Sequence, residues 1–287
     1  MKKIILILSI LLSVNMVNSQ NTILWSISKP DSNKTSYLFG TFHQMGNSFV
    51  DNKPEIIFFL EKSNAVIFES IGDRYEEITK IMLDRPDDFS YRNYLKRDDF
   101  KFLERYTTDW DVPISKHKPA ELLVRLKQEY IKRNCGTIKS KDTSEHMDEY
   151  LQSIINKEKI EIIGLETRSE QFNSINYVNN EEITWKMVKD AFSDLEKNFS
   201  NKKFKKNICA TAENYMKMDI DYQFKSECTQ NEDMLSNRNE KWIPIIENSL
   251  QNYNSVFIAV GLLHLKGQCG IIEQLRNSGY EVNPINF

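Results

Sequence analysis

The chain has 287 residues, a formal net charge of −3 and a mean hydropathy of −0.52. The slightly acidic balance excludes general affinity for nucleic acid or for anionic membrane surfaces. Sixteen Phe, twelve Tyr and four Trp are ample for a large core, and beyond the first residues no segment is apolar enough to span a bilayer, which excludes stable membrane insertion.

Residues 1–19 begin with Lys2 and Lys3, continue in the apolar run Ile4 to Leu12 and end in Val17-Asn18-Ser19. That order of basic, apolar and small polar residues predicts a secretory signal peptide, and the run falls short of the roughly 20 residues of a spanning helix. Cleavage is expected near Ser19-Gln20, taking the charge from −3 to −5 by removing two lysines. No cysteine stands where a lipoprotein would carry its lipid. The mature chain, 20–287, reads as one domain that is secreted or periplasmic.

Short β-branched or aromatic runs predict strands over 23–27, 37–39, 65–68, 160–163, 255–260 and 280–285. Helical periodicity predicts helices over 54–63, 75–83, 98–107, 119–133, 143–156, 181–198, 204–218, 235–250 and 267–277. The strand at 37–39, the helix at 54–63 and the strand at 65–68 form a strand–helix–strand unit, whose strands are expected to be parallel neighbours. The helix-rich blocks 74–156 and 170–250 lack Gly/Pro/Ser linkers and read as helical insertions between strands of an α/β fold. Within the second, Lys202-Lys203-Phe204-Lys205-Lys206 reads as a solvated helix face. Residues 36–43 and 257–264 echo each other as apolar strands ending in Gly-x-x-His, which suggests duplicated halves.

Four cysteines in an exported chain imply two disulfides, with three pairings open. The short separation of Cys209 and Cys228 favours that pair, leaving Cys135 with Cys269. No Cys-x-x-Cys spacing points to a cysteine-built zinc site.

Each confident interior strand is followed by an acid–base or metal-competent residue: His43, Glu69, Glu166 and His264. Open α/β sheets bind ligands beyond the carboxyl ends of their strands, so the four would meet at one edge. The glycines at 40 and 261 let the backbone approach a ligand closely. Imidazole and carboxylate are the ligand set of a divalent ion such as zinc, manganese or cobalt. His43, His264, Glu69 and Glu166 are therefore the candidate ligands. A glutamate that is not a ligand would serve as base, and the spacing does not say which. Arg238 and Asn239 suit a substrate carboxylate or an oxyanion, or else a solvated helix with an Arg–Glu pair. Glu170-Gln171 reads as support for the ligands, Gln171 above all, or as the polar first turn of a helix. Glu69 and Glu166 also have plain readings, as a cap and as a charge at a helix start. His117 and His146 lie in charged helical segments and read as surface residues. No Gly-x-Ser-x-Gly elbow, P-loop or His-Glu-x-x-His helix occurs, so a serine hydrolase, a P-loop enzyme and a common zincin are unsupported.

In these stretches the sequence resembles the TraB/GumN family, related to the Tiki metalloproteases. The resemblance is carried by Leu24-Trp25-Ser26, Leu38-Phe39-Gly40-Thr41-Phe42-His43, Val66-Ile67-Phe68-Glu69, Gly164-Leu165-Glu166-Thr167 with Glu170-Gln171, Arg238-Asn239 with Trp242, and Val260-Gly261-Leu262-Leu263-His264. It implies a mixed central sheet with two related halves flanked by helices. It also implies a site of both histidines with a glutamate, Arg238 matching a basic position, and divalent-metal-dependent cleavage of a peptide or protein substrate. Leu263 departs from the pattern, where a small residue often precedes the histidine, and is expected to narrow the pocket. A non-catalytic envelope protein that holds a metal, a haem-like ligand or a peptide in the same crevice is the competing class.

Overall fold

Eight strands form in chain order: β1 (Leu24–Ser28), β2 (Ser36–Thr41), β3 (Ala65–Phe68), β4 (Glu161–Gly164), β5 (Tyr177–Val178), β6 (Glu181–Glu182), β7 (Val256–Gly261) and β8 (Glu281–Ile285). They belong to a computed structural model that describes residues 21–287 except 156–157, 179 and 229–234. The expected signal peptide and its cleavage point lie outside the described residues.

Six strands make one mixed sheet in the order β4-β3-β7-β2-β1-β8, flanked by helices, and β5 and β6 form a separate hairpin. β4, β3, β7 and β2 run parallel, whereas β1 is antiparallel to both β2 and β8. Every residue of β3 and β7 is buried, as parallel strands covered on both faces require. Their Val, Ile and Phe side chains join Trp25, Phe39, Trp242 and Ile246 in the main core.

The strand–helix–strand unit forms, but β2 and β3 are not neighbours. β7, the longest fully buried strand, enters between them and pairs with both. The two echoing strands thus lie side by side, with Thr41 opposite Gly261, and their histidine turns leave the sheet at adjacent positions.

The helix expected over 143–156 shortens to Met147–Ser153. Asn47 Oδ1 accepts hydrogen bonds from the Thr143 and Ser144 amides at 2.8 and 3.0 Å, which holds that stretch in a loop. The helix expected from 181 starts at Trp185, because Glu181–Glu182 is spent on the hairpin. The helices Arg97–Tyr106, Pro119–Asn134 and Trp185–Asn198 close over a second apolar cluster built on Leu103, Leu122, Leu126 and Phe192. Lys202, Lys203, Lys205 and Lys206 lie exposed on the helix Lys202–Met216. Among the described residues no helix is long and apolar enough to cross a membrane.

The disulfide pairing differs from the one favoured by sequence separation: Cys135 bonds Cys209, and Cys228 bonds Cys269. Cys135 caps the helix Pro119–Asn134, which packs on the helix carrying Cys209 and brings the two Cα atoms to 5.2 Å. Tertiary packing overrides proximity in sequence. The bonds close separations of 74 and 41 residues, and the chain-entropy model gives each about 4 kcal/mol. Reductant should therefore lower the urea midpoint markedly, and an unchanged midpoint would contradict both bonds.

Candidate functional site

The four parallel strands end at one edge, and each delivers a polar side chain there. His43 follows β2, Glu69 follows β3, Glu166 follows β4 and His264 follows β7 in the short turn Leu262–Leu265. The helix Ser236–Asn252 crosses this edge and adds Arg238, Asn239 and Trp242, all buried.

Glu69 is the hub and is 4 % exposed. Its Oε1 accepts the Gly261 amide at 2.7 Å, and its Oε2 accepts Gln171 Nε2 at 2.6 Å and Arg238 Nη2 at 2.8 Å. The imidazoles approach from two sides, His264 Nε2 at 3.7 Å and His43 Nε2 at 3.9 Å from the same Oε1. Burial opposes ionisation of Glu69, but His264, His43, Arg238 and the Gly261 amide outweigh it and hold the carboxyl well below the usual range. Space explains the glycine at 261. A Cβ there would stand 3.0 Å from Glu69 Oε1 and 3.2 Å from His43 Nε2, whereas its backbone conformation is ordinary, with φ of −54°.

Each histidine is oriented through its Nδ1. Asn239 Nδ2 donates to the carbonyls of His264 and Cys269 at 3.1 and 2.9 Å, so its Oδ1 is the acceptor facing His264 Nδ1 at 2.6 Å. His264 thus carries its proton on Nδ1, and its Nε2 lone pair accepts from Arg238 Nη1 at 3.2 Å, with Glu69 beside it. Burial, helped by Arg238 and His43 against the pull of Glu69, lowers the His264 pKa to about 3. His43 Nδ1 donates to Asp148 Oδ2 at 2.6 Å, and Thr41 Oγ1 fixes the other Asp148 oxygen at 2.8 Å. Burial opposes charge on His43, yet Asp148 and Glu69 prevail and raise its pKa to about 9. The His43 side chain keeps 37 % exposure against 4 % for His264, so His43 is the imidazole facing solvent.

Arg238 ties the cluster together. Its Nε and Nη2 grip Glu166 at 3.1 and 2.5 Å, Nη2 also reaches Glu69, and Nη1 lies 3.2 Å from His264 Nε2. The guanidinium and the His264 ring both pack on Trp242, at 4.5 and 4.4 Å between centres. Burial raises the pKa of Glu166, Arg238 pulls it back, and Glu69 adds to the rise.

The structure therefore gathers His43, Glu69, Glu166, Arg238 and His264 at one place. Gln171 supports Glu69 directly, while Glu170 caps Thr167 at the start of the helix Arg168–Ser174 and stays outside the cluster. Leu263, beside His264, is 54 % exposed. The sequence reading missed Asp148, which lies 105 residues from His43 on an insertion helix. It also misplaced His117 and His146, which are 2 % and 8 % exposed. Both rings turn in, each with Nε2 facing an arginine, Arg125 and Arg74, at 3.1 Å.

Two imidazoles with anchored Nδ1 atoms and one carboxylate fit a divalent ion in donor type. As arranged here they do not close into a ligand set. Among the described residues no three His, Cys, Asp or Glu side chains are grouped to hold an ion, and Arg238 Nη1 faces the lone pair that His264 would donate. An ion would compete with that guanidinium. Glu166, with both oxygens on Arg238, holds the arginine in this arrangement.

Residues 23–284 match the family model of the TraB/PrgY/gumN family. Neither a curated protein nor a solved structure matches the chain.

Proposed function

Because the chain belongs to the TraB/PrgY/gumN family, we propose that it is an exported hydrolase that uses a divalent ion held by His43, His264 and Glu69 to cleave peptide bonds. The observation that carries this reading is the convergence of two Nε2 atoms, each with its Nδ1 tied to an acceptor, on a single oxygen of a buried carboxylate. Export is supported by the signal-like start of the sequence and by two disulfides. The peptide class is supported by analogy alone, through the relation of the TraB/GumN family, which the Gly-x-x-His turns resemble, to the Tiki metalloproteases.

A bound divalent ion brings the pKa of a water down to about 7 and polarises a carbonyl. The protein groups have separate tasks. Asn239 and Asp148 keep both imidazoles oriented, and neutral His264 offers its lone pair without first losing a proton. Glu166 stands beside the site with its pKa already raised, suited to take a proton from the attacking water and return it to the leaving amine. Arg238 balances the charge of Glu69 and Glu166, and its Nη1, which here faces His264 Nε2, would donate to a developing oxyanion once an ion took that lone pair.

The test is stoichiometric. Protein purified without chelator, then offered zinc, manganese or cobalt, should bind about one ion per chain, and His43→Ala and His264→Ala should each abolish binding while the fold persists. No ion above background, or full activity in either variant, sinks the proposal. Arg238→Met should bind cobalt more tightly than wild type, since the competing guanidinium is gone. A binding protein without turnover is the second reading, favoured by the closed Arg238 network. Cleavage of a peptide library that stops with chelator and returns with metal would exclude it.

A further inference from the structure

Two more guanidiniums flank this cluster without joining it. Arg74 and Arg168 open the helices Arg74–Leu83 and Arg168–Ser174, a few residues beyond the ends of β3 and β4. Arg168 is 7 % exposed and Arg74 is half-buried. Among the described residues neither has a carboxylate within 4.0 Å. Each makes one side-chain hydrogen bond, and in both cases to a neutral group: Arg74 Nη1 with His146 Nε2 at 3.1 Å, and Arg168 Nη1 with Gln171 Oε1 at 2.7 Å. Arg168 Nε is buried with no partner, whereas Nη2 of each side chain is not walled off.

Positive charge removed from water without a counter-ion is costly, and two such charges close enough to repel each other are more so. Burial is the first cause opposing the charge of each, and each feels nearby acids only at a distance. Asp148 is spent on His43 and Thr41, and Glu149 and Glu77 are half-buried and remain beyond 4.0 Å. The pair also has a defined relation to the centre. Gln171, which accepts from Arg168, donates to Glu69, and the ring of His146, which faces Arg74, lies 6.5 Å from the ring of His43. The missing partner is an anion arriving from solvent, and a planar guanidinium fork matches a carboxylate.

We infer that Arg74 and Arg168 form a carboxylate subsite beside the His43–Glu69–His264 centre, selecting peptides with a carboxylate near the bond presented there. The carboxylate is either an acidic side chain or a free C-terminus. For its substrate class this rests on the hydrolase reading, but carboxylate binding itself does not need turnover.

The experiment is a calorimetric titration of the full chain, with chelator present, against four probes: acetyl-Ala-Ala-Ala as free acid and as amide, and acetyl-Ala-Glu-Ala and acetyl-Ala-Gln-Ala as amides. At least one acid should bind about tenfold or more tightly than its neutral counterpart. Which pair shows the preference separates the C-terminus from the side chain. The preference should fall away in Arg168→Gln and in Arg74→Gln. Should either variant fail to fold, mass-spectrometric mapping of phenylglyoxal modification on wild type still decides, since the preferred acid should protect Arg74 and Arg168 and its amide should not. Equal binding of acid and amide, or protection that ignores the carboxylate, overturns the subsite. A preference that persists with no hydrolysis under any metal leaves the subsite standing and removes the hydrolase reading.

Discussion

Glu69→Ala should destabilise the protein by about 3–5 kcal/mol, the scale for removing one partner of a buried ion pair, and should end metal binding. Two donors lose their acceptor at once, the Gly261 amide and Gln171 Nε2, while Arg238 Nη2 loses one of its two and keeps Glu166. Glu69→Gln should fare little better. Its amide oxygen can accept from Gly261, but its NH₂ group would then face the NH₂ group of Gln171 and the guanidinium. The double variant Glu69→Ala with Arg238→Met loses the shared Glu69–Arg238 bond only once, so its loss should be smaller than the sum of the two single-variant losses, because residues sharing a buried network are not additive. Urea denaturation of the four proteins checks this. Strictly additive losses would show that the two side chains do not depend on each other and that Glu69 is not the hub.

That dependence explains what could be read from the sequence. The strands were legible because runs such as Ala65–Phe68 and Val256–Gly261 are apolar throughout and bounded by polar turns. The candidate site was legible for the same reason, since a parallel strand announces its own carboxyl end and His43, Glu69, Glu166 and His264 each stand just past one. Sheet order was not legible. Nothing local in 256–261 says that this late strand enters between two early ones. Asp148 was hidden differently: its role depends on the insertion helix Met147–Ser153 folding back over β2, and no spacing rule links it to His43. The cysteines failed on the same ground, because two packed helices bring Cys135 to Cys209 while separation in sequence favours Cys228. For His117 and His146 the burial of one ring cannot be read from the charge of its sequence neighbours.

The misread histidines carry the second large expectation, which concerns acid stability in chelator. His117, His146 and His264 are all buried and neutral. Burial is the main cause, lowering His117 to about 4, His264 to about 3 and His146 well below its ordinary value of 6.5. As pH falls from 6.5 the unfolded chain binds three protons that the folded chain refuses, so unfolding takes up protons and stability drops with acidification. Three protons correspond to a slope of up to about 4 kcal/mol per pH unit. His43 acts with the opposite sign. Its folded pKa of about 9 means that the folded state keeps a proton which the unfolded state loses above 6.5, so stability falls as pH rises from 6.5 through 9. Metal-free protein should therefore be most stable near pH 6.5, with a steep acid limb and a shallower alkaline one. Urea midpoints across pH 4.5–9 measure both limbs, and His117→Gln should flatten the acid limb by about one proton. An acid limb that stays flat down to pH 4.5 would mean that these rings are solvated, and would remove the burial on which the orientation of His264 toward Glu69 depends.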